Sequence, residues 1–80
     1  MAVAGLLVHT LKEDLSRIEE AIRQMPEMTT YGCHQDQFIV VVAEAHSDEL
    51  EDVVAGLQDI DGVLSLYTTY VTVEDETSAD

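Results

Sequence analysis

The apolar positions along the chain fall into two periods, one of about two residues and one of 3.6, and they alternate along its length. "AVAGLLVHT", from Ala2 to Thr10, is a short apolar run with Leu6, Leu7 and Val8 suited to a buried strand. Leu11, Leu15, Ile18, Ile22 and Met25 then recur at spacings of four, three, four and three, with Glu13, Asp14, Arg17, Glu19, Glu20 and Arg23 between them. That pattern predicts an amphipathic helix with one buried stripe, entered at Thr10 with Glu13 as partner in a capping box and stopped by Pro26. "MTTYGCH", from Met28 to His34, reads as a second strand in which Gly32 marks a bulge or an edge position. Gln35, Asp36 and Gln37 form a polar break suited to a hairpin turn.

Phe38, Ile39, Val40, Val41 and Val42 follow without a polar interruption. Strand side chains alternate between two faces, so an unbroken run implies that both faces are covered. Ser47 is the expected cap of a second helix, with Asp48 and Glu49 in its first turn and Leu50, Val53, Val54, Leu57 and Ile60 on its apolar side. "DIDG" closes that helix, Gly62 being free to take a left-handed conformation, and "VLSLYTTYVTV" is the longest strand signal. "EDETSAD" is an acidic tail without periodicity, expected to be disordered.

The order strand, helix, strand, strand, helix, strand is the split βαβ arrangement, an α+β ferredoxin-like fold (βαββαβ). Right-handed crossovers would place both helices on one face of a four-stranded antiparallel sheet and leave the other face bare. Residues 1–73 are expected to form this domain and 74–80 the tail.

Composition narrows the functions available to such a domain. At 46% apolar the chain is too hydrophobic for a disordered protein, and it has no apolar run of membrane-spanning length. Seventeen acidic residues against Lys12, Arg17 and Arg23 give a formal net charge of −14. Nucleic acid and anionic membrane are disfavoured by such a field and a basic partner is favoured, although the same charge serves solubility or a salty habitat. The amino terminus lacks a basic region and a clear cleavage site, and the single cysteine, Cys33, suits a reducing compartment, so the expected location is the cytoplasm.

Catalytic and metal chemistry find little support. Cys33 and His34 are adjacent, so in a strand they point to opposite faces. His9, His34 and His46 lie in different elements without ligand spacing, and there is no Cys-x-x-Cys pair. The first strand-to-helix junction, "LVHTLKED", has neither an arginine nor a glycine-rich loop for phosphate. Ser16, Ser47 and Ser65 have no evident His-carboxylate partners. We expect no enzyme, no metal and no cofactor.

Attention therefore falls on the bare sheet face. With Leu6 and Val8 turned toward the helices, Leu7 and His9 face outward beside Gly5. The expected register puts Phe38, Val40 and Val42 inward and Ile39, Val41 and Ala43 outward. On the last strand a bulge after Gly62 would turn Val63, Leu66 and Tyr70 inward and Ser65, Tyr67 and Thr69 outward. Tyr31 and Cys33 join the outer face if Met28 and Thr30 are buried, and a one-residue slip exchanges the faces. Such an apolar and tyrosine-bearing face framed by carboxylates fits a hydrophobic, basic ligand or a second copy of the chain.

"LLVHT" near the start, "QFIVVVAEAHSDEL" in the middle and "DIDGVLSLYTTYVTVEDE" at the end resemble the NapD family, the maturation chaperones of periplasmic nitrate reductase, over essentially the whole chain. The resemblance implies a ferredoxin-like binding protein. It would hold the twin-arginine signal peptide of the nitrate reductase catalytic subunit and delay export until the molybdenum cofactor is in place. Combined with the expected register, this lays the peptide's apolar segment over Leu7, Ile39, Val41 and Tyr67, with His9, Tyr31, Ala43, Ser65 and Thr69 around it. Asp36, Glu44, Glu74, Asp75 and Glu76 form an acidic rim for the arginines. The alternative is a small ligand-sensing or dimerising ferredoxin-like module, with a weak homodimer as its form of association.

Overall fold

The computed structural model describes residues 2–73. Glu74, Asp75 and Glu76 of the expected rim, and the tail as a whole, lie outside the described residues. Four strands, β1 (Ala2–Thr10), β2 (Met28–His34), β3 (Phe38–Ala45) and β4 (Val63–Val73), form one sheet in the order β2-β3-β1-β4. All three pairings are antiparallel. Helix α1 (Leu15–Arg23) links β1 to β2, preceded by a 3-10 turn over Lys12–Asp14, and α2 (Ser47–Gln58) links β3 to β4. This is the ferredoxin-like arrangement that the order of periods predicts.

The core lies between the helices and one sheet face. Ile18 and Ile22 of α1 and Leu50 and Leu57 of α2 are buried against Ala2, Ala4, Leu6 and Val8 of β1 and Ile39, Val41 and Ala43 of β3. Leu15, Met25, Val53, Val54, Ile60, Val63 and Leu66 pack around this centre. The helix stripes thus follow the 3.6-residue period, because each helix has only one layer to bury itself against.

Both helix starts differ from expectation. Thr10 is fully buried as the last residue of β1, where its N–H donates to the Gln37 carbonyl at 2.8 Å and its hydroxyl to the Leu11 carbonyl at 2.9 Å. Its hydroxyl is therefore committed away from the helix, and Leu11 precedes the 3-10 turn without a side-chain cap. At α2 the cap is His46, whose Nδ1 accepts the Asp48 N–H at 3.3 Å, and Ser47 is already the first helical residue.

The decisive difference is in β3. Leu6 is paired with Val41 and Val8 with Ile39, and residues directly opposite in a ladder share a face. Ile39, Val41 and Ala43 are fully buried beneath the helices, whereas Phe38, Val40 and Val42 turn to the other face and are half-buried. The expected assignment of this strand is thus reversed. Cys33 is opposite Ile39, so it too belongs on the helix side, at an exposed strand end, and not on the open face.

On β4 the pairing shifts between His9 and Thr10, which leaves Leu64 without a partner and brings Val63 and Leu66 to the core side. A second shift between Gly5 and Leu6 brings Tyr70 out opposite Gly5, so Tyr70 is exposed and not inward as expected. Each shift adds one residue to β4, and an odd insertion exchanges the faces beyond it.

Candidate binding face

The ladder pairings arrange the face that no helix covers into successive rows. At one end Glu44 is opposite Val3 and Val3 opposite Thr72. The next row holds Thr29, Val42, Gly5 and Tyr70, and the one after it Val40, Leu7 and Tyr67. His34, Phe38, His9 and Ser65 complete the series. From the Glu44 row to the Phe38 row the strand advances six residues, roughly 20 Å.

The middle of this face is apolar and the Phe38 end is aromatic. His9 stacks on Phe38 with ring centroids 4.9 Å apart and an interplanar angle of 24°, and Phe38 meets Tyr67 edge-on at 6.3 Å. His9 Nδ1 lies 3.3 Å from the Ser65 hydroxyl, which holds the imidazole in the plane of the stack. Tyr67 and Tyr70 are each about half exposed, 51% and 48%, so the face keeps a large aromatic surface in contact with solvent.

Of the residues expected on this face, Leu7, His9, Ser65, Tyr67 and Thr69 lie there. Thr69 sits at the bulge, its hydroxyl beside Gly5. Tyr31 stands at the β2 bulge next to Gly32, whose φ is +102°, and is exposed at the sheet edge. Ile39, Val41 and Ala43 do not contribute, being sealed under the helices. In their place stand Phe38, Val40 and Val42, with Tyr70 added. The signal for the exchange lay in Glu44: it has the same parity as Phe38, Val40 and Val42, and a carboxylate belongs on the solvent side.

The charges are distributed unevenly. All three Lys and Arg side chains are already engaged. Lys12 is 3.8 Å from Asp36, Arg17 is 3.4 Å from Asp14, and Arg23 is 3.5 Å from Glu19 and 3.9 Å from Glu20. Asp36 therefore sits in the hairpin turn at the aromatic end with a lysine beside it. At the opposite end neither Glu44 nor exposed Glu27, whose carbonyl accepts the Glu44 N–H at 2.9 Å, is paired with a Lys or Arg among the described residues. Glu27 was missed because it lies in the turn before β2, where sequence spacing does not show which strand it will adjoin.

On the helix side, α2 and β4 flank an open apolar groove of about 390 Å³, bordered by Leu50, Val54, Val71 and Val73. Among the described residues no group of three or more His, Cys, Asp or Glu could hold a metal ion, and no helix is long and apolar enough to cross a membrane. The Cys33 thiol is pushed above its ordinary range, first by desolvation and then by the Glu19 and Asp36 carboxylates, with Arg23 opposing them. A thiol so placed is less ionised at neutral pH than a free one, the opposite of what a nucleophile requires.

Comparison with known proteins points to one family. The family model described as NapD protein matches residues 1–75. The chain is also similar to the solution structure of the E. coli Tat proofreading chaperone protein NapD, with a TM-score of 0.74 and 25% sequence identity, covering 94% of this chain and 80% of that one. Among the sequences of curated proteins no match is found.

Proposed function

The chain belongs to the NapD family, and from that premise we propose that it is a chaperone, not an enzyme, that binds the twin-arginine signal peptide of a periplasmic nitrate reductase catalytic subunit. It holds the peptide in the cytoplasm until cofactor insertion and folding of the client are complete. The observation that carries this reading is the open sheet face: a half-buried apolar centre of Leu7, Val40 and Val42 flanked by Phe38, Tyr67 and Tyr70, on a chain of net charge −14. A signal peptide that joins a basic stretch to an apolar segment is complementary to both properties. The likeness to a Tat proofreading chaperone supports the same class of client.

The chemistry requires no covalent step. Covering Leu7, Val40 and Val42 removes apolar area from water at about 25 cal/mol per Å², and the carboxylates steer and orient the guanidinium groups. While the peptide lies on the sheet, its arginines and apolar segment are withheld from any other receptor, which is how binding delays export.

Isothermal titration calorimetry with the signal peptide of the client subunit tests this. Binding that weakens when both arginines are replaced by lysine, and weakens further with added salt, supports the reading. Absence of binding by the arginine peptide overturns it. A dimerising module is the second reading, favoured by one observation: β4 is an edge strand of 11 residues with no charged side chain to block pairing with another copy. Sedimentation of the free chain at increasing concentration distinguishes the two.

A further inference from the structure

We infer that the peptide lies on the open face with a single polarity, its arginine pair at the Glu44 end and its apolar segment running toward the His9–Phe38–Tyr67 cluster. This rests on the reading that a twin-arginine signal peptide occupies that face, and it adds which end receives which part.

The two ends of the face differ in charge for a definite reason. The chain has three Lys and Arg residues, and each is held by a carboxylate on or beside α1 or the hairpin turn. Asp36, the carboxylate at the aromatic end, faces Lys12 at 3.8 Å, so an arriving guanidinium would meet a nearby ammonium as well as the acid. Glu44 and Glu27 are adjacent through the hydrogen bond between their backbones, both are exposed, and among the described residues no Lys or Arg is paired with either.

The other requirement is an apolar surface at the right distance. Roughly 20 Å separates the Glu44 row from the Phe38 row. An apolar segment leaving the arginines spans that length with about 13 residues if helical or about 6 if extended. Over this path it crosses Val42, Val40 and Leu7 and ends on the stacked rings of His9 and Phe38 with Tyr67 beside them. The reverse polarity would put two arginines beside the Lys12 ammonium, and an apolar segment against the Glu27 and Glu44 carboxylates, which would lose water without gaining a partner.

Paramagnetic relaxation enhancement on the full chain tests the polarity. Signal peptides carrying a nitroxide either just before the arginine pair or at the far end of the apolar segment are titrated into isotope-labelled protein. The first label is expected to broaden the amides of Val3, Glu44 and Thr72, and the second those of His9, Phe38 and Ser65. Binding with the reverse pattern, or with both labels broadening both ends, overturns the polarity and leaves the proposed function standing. No binding by either peptide overturns both. In parallel, Glu27→Gln with Glu44→Gln should weaken binding by about tenfold and Asp36→Asn by less than about twofold. A larger loss from Asp36→Asn overturns the assignment of ends.

Discussion

The ring of Tyr70 lies over Gly5, in the place that a side chain on the centre strand would occupy. The bulge in β4 turns Tyr70 and Thr69 toward this one glycine, and a Cβ there would meet the Tyr70 ring and come within 2.7 Å of the Thr69 hydroxyl. The absence of a side chain at this position of β1 thus lets an aromatic from the edge strand reach over the open face. Gly5 is buried in consequence, although it faces away from the helices.

Gly5→Ala is expected to cost about 1–2 kcal/mol of stability, because the added methyl displaces the ring. The same substitution in a Tyr70→Ala background should cost clearly less, since the ring is gone and only the Thr69 hydroxyl must still give way, against the preference of about 0.5–1 kcal/mol for alanine over glycine in a strand. Urea unfolding of the four variants reads the coupling directly. A coupling energy near zero would remove the ring from its place over Gly5.

The reversal of β3 gives a second test. Ile39→Ala opens a cavity under both helices and should cost about 2–5 kcal/mol. Val40→Ala, one residue further on but on the open face, should cost less than about 1 kcal/mol, since half of the side chain's burial is already absent. Binding should respond in the opposite order: Val40→Asp is expected to abolish peptide binding while the far-ultraviolet circular dichroism spectrum is retained. If Val40→Ala proves the more damaging to stability, the two faces of β3 have been exchanged.

How much of this was legible in the sequence depends on whether a second signal accompanied the apolar one. The helix stripes of Ile18 and Ile22 and of Leu50 and Leu57 were legible because polar residues mark the opposite side. Over Phe38–Val42 every position is apolar, so the two-residue period cannot say which set faces in; only Glu44, three positions beyond Val41, breaks the tie. The inward position of Val63 and Leu66 follows from the bulge that Gly62 announces, but nothing in "YTTYVTV" marks the second bulge that turns Tyr70 outward. Thr10 has the composition of a cap, yet it is held in β1 by pairing with Val63 and by the contact with Gln37, which local spacing does not reveal.

The hairpin between β2 and β3 carries a stabilising substitution in reserve. Gln35 and Asp36 have φ values of 56° and 58°, and the Gln37 N–H donates to the His34 carbonyl at 3.2 Å. Two successive left-handed residues are the signature of the mirror-image hairpin turn, for which Asn-Gly is the preferred pair and Gln-Asp a strained one. Gln35→Asn with Asp36→Gly should therefore stabilise the fold by about 1 kcal/mol, raising Tm by roughly 4–8 °C. The accompanying loss of the exposed Lys12–Asp36 pair offsets little of this. A lower melting temperature for the double variant would mean that the turn does not adopt this conformation.

Cys33 should behave as an unreactive thiol despite its exposure. Desolvation at the strand edge raises its pKa first, the Glu19 and Asp36 carboxylates raise it further, and Arg23 only partly opposes them. A raised pKa means that less thiolate is present at a given pH, so alkylation by iodoacetamide at pH 8 should be slower than for an unstructured cysteine peptide and should reach half its limiting rate at a higher pH. Salt screens the two carboxylates and should speed the reaction. Glu19→Gln should speed it as well, whereas Arg23→Ala, which removes the one opposing charge, should slow it. Mass-spectrometric alkylation rates measure all five effects, and a rate above that of the free peptide would contradict the electrostatic surroundings assigned to the helix side of β2.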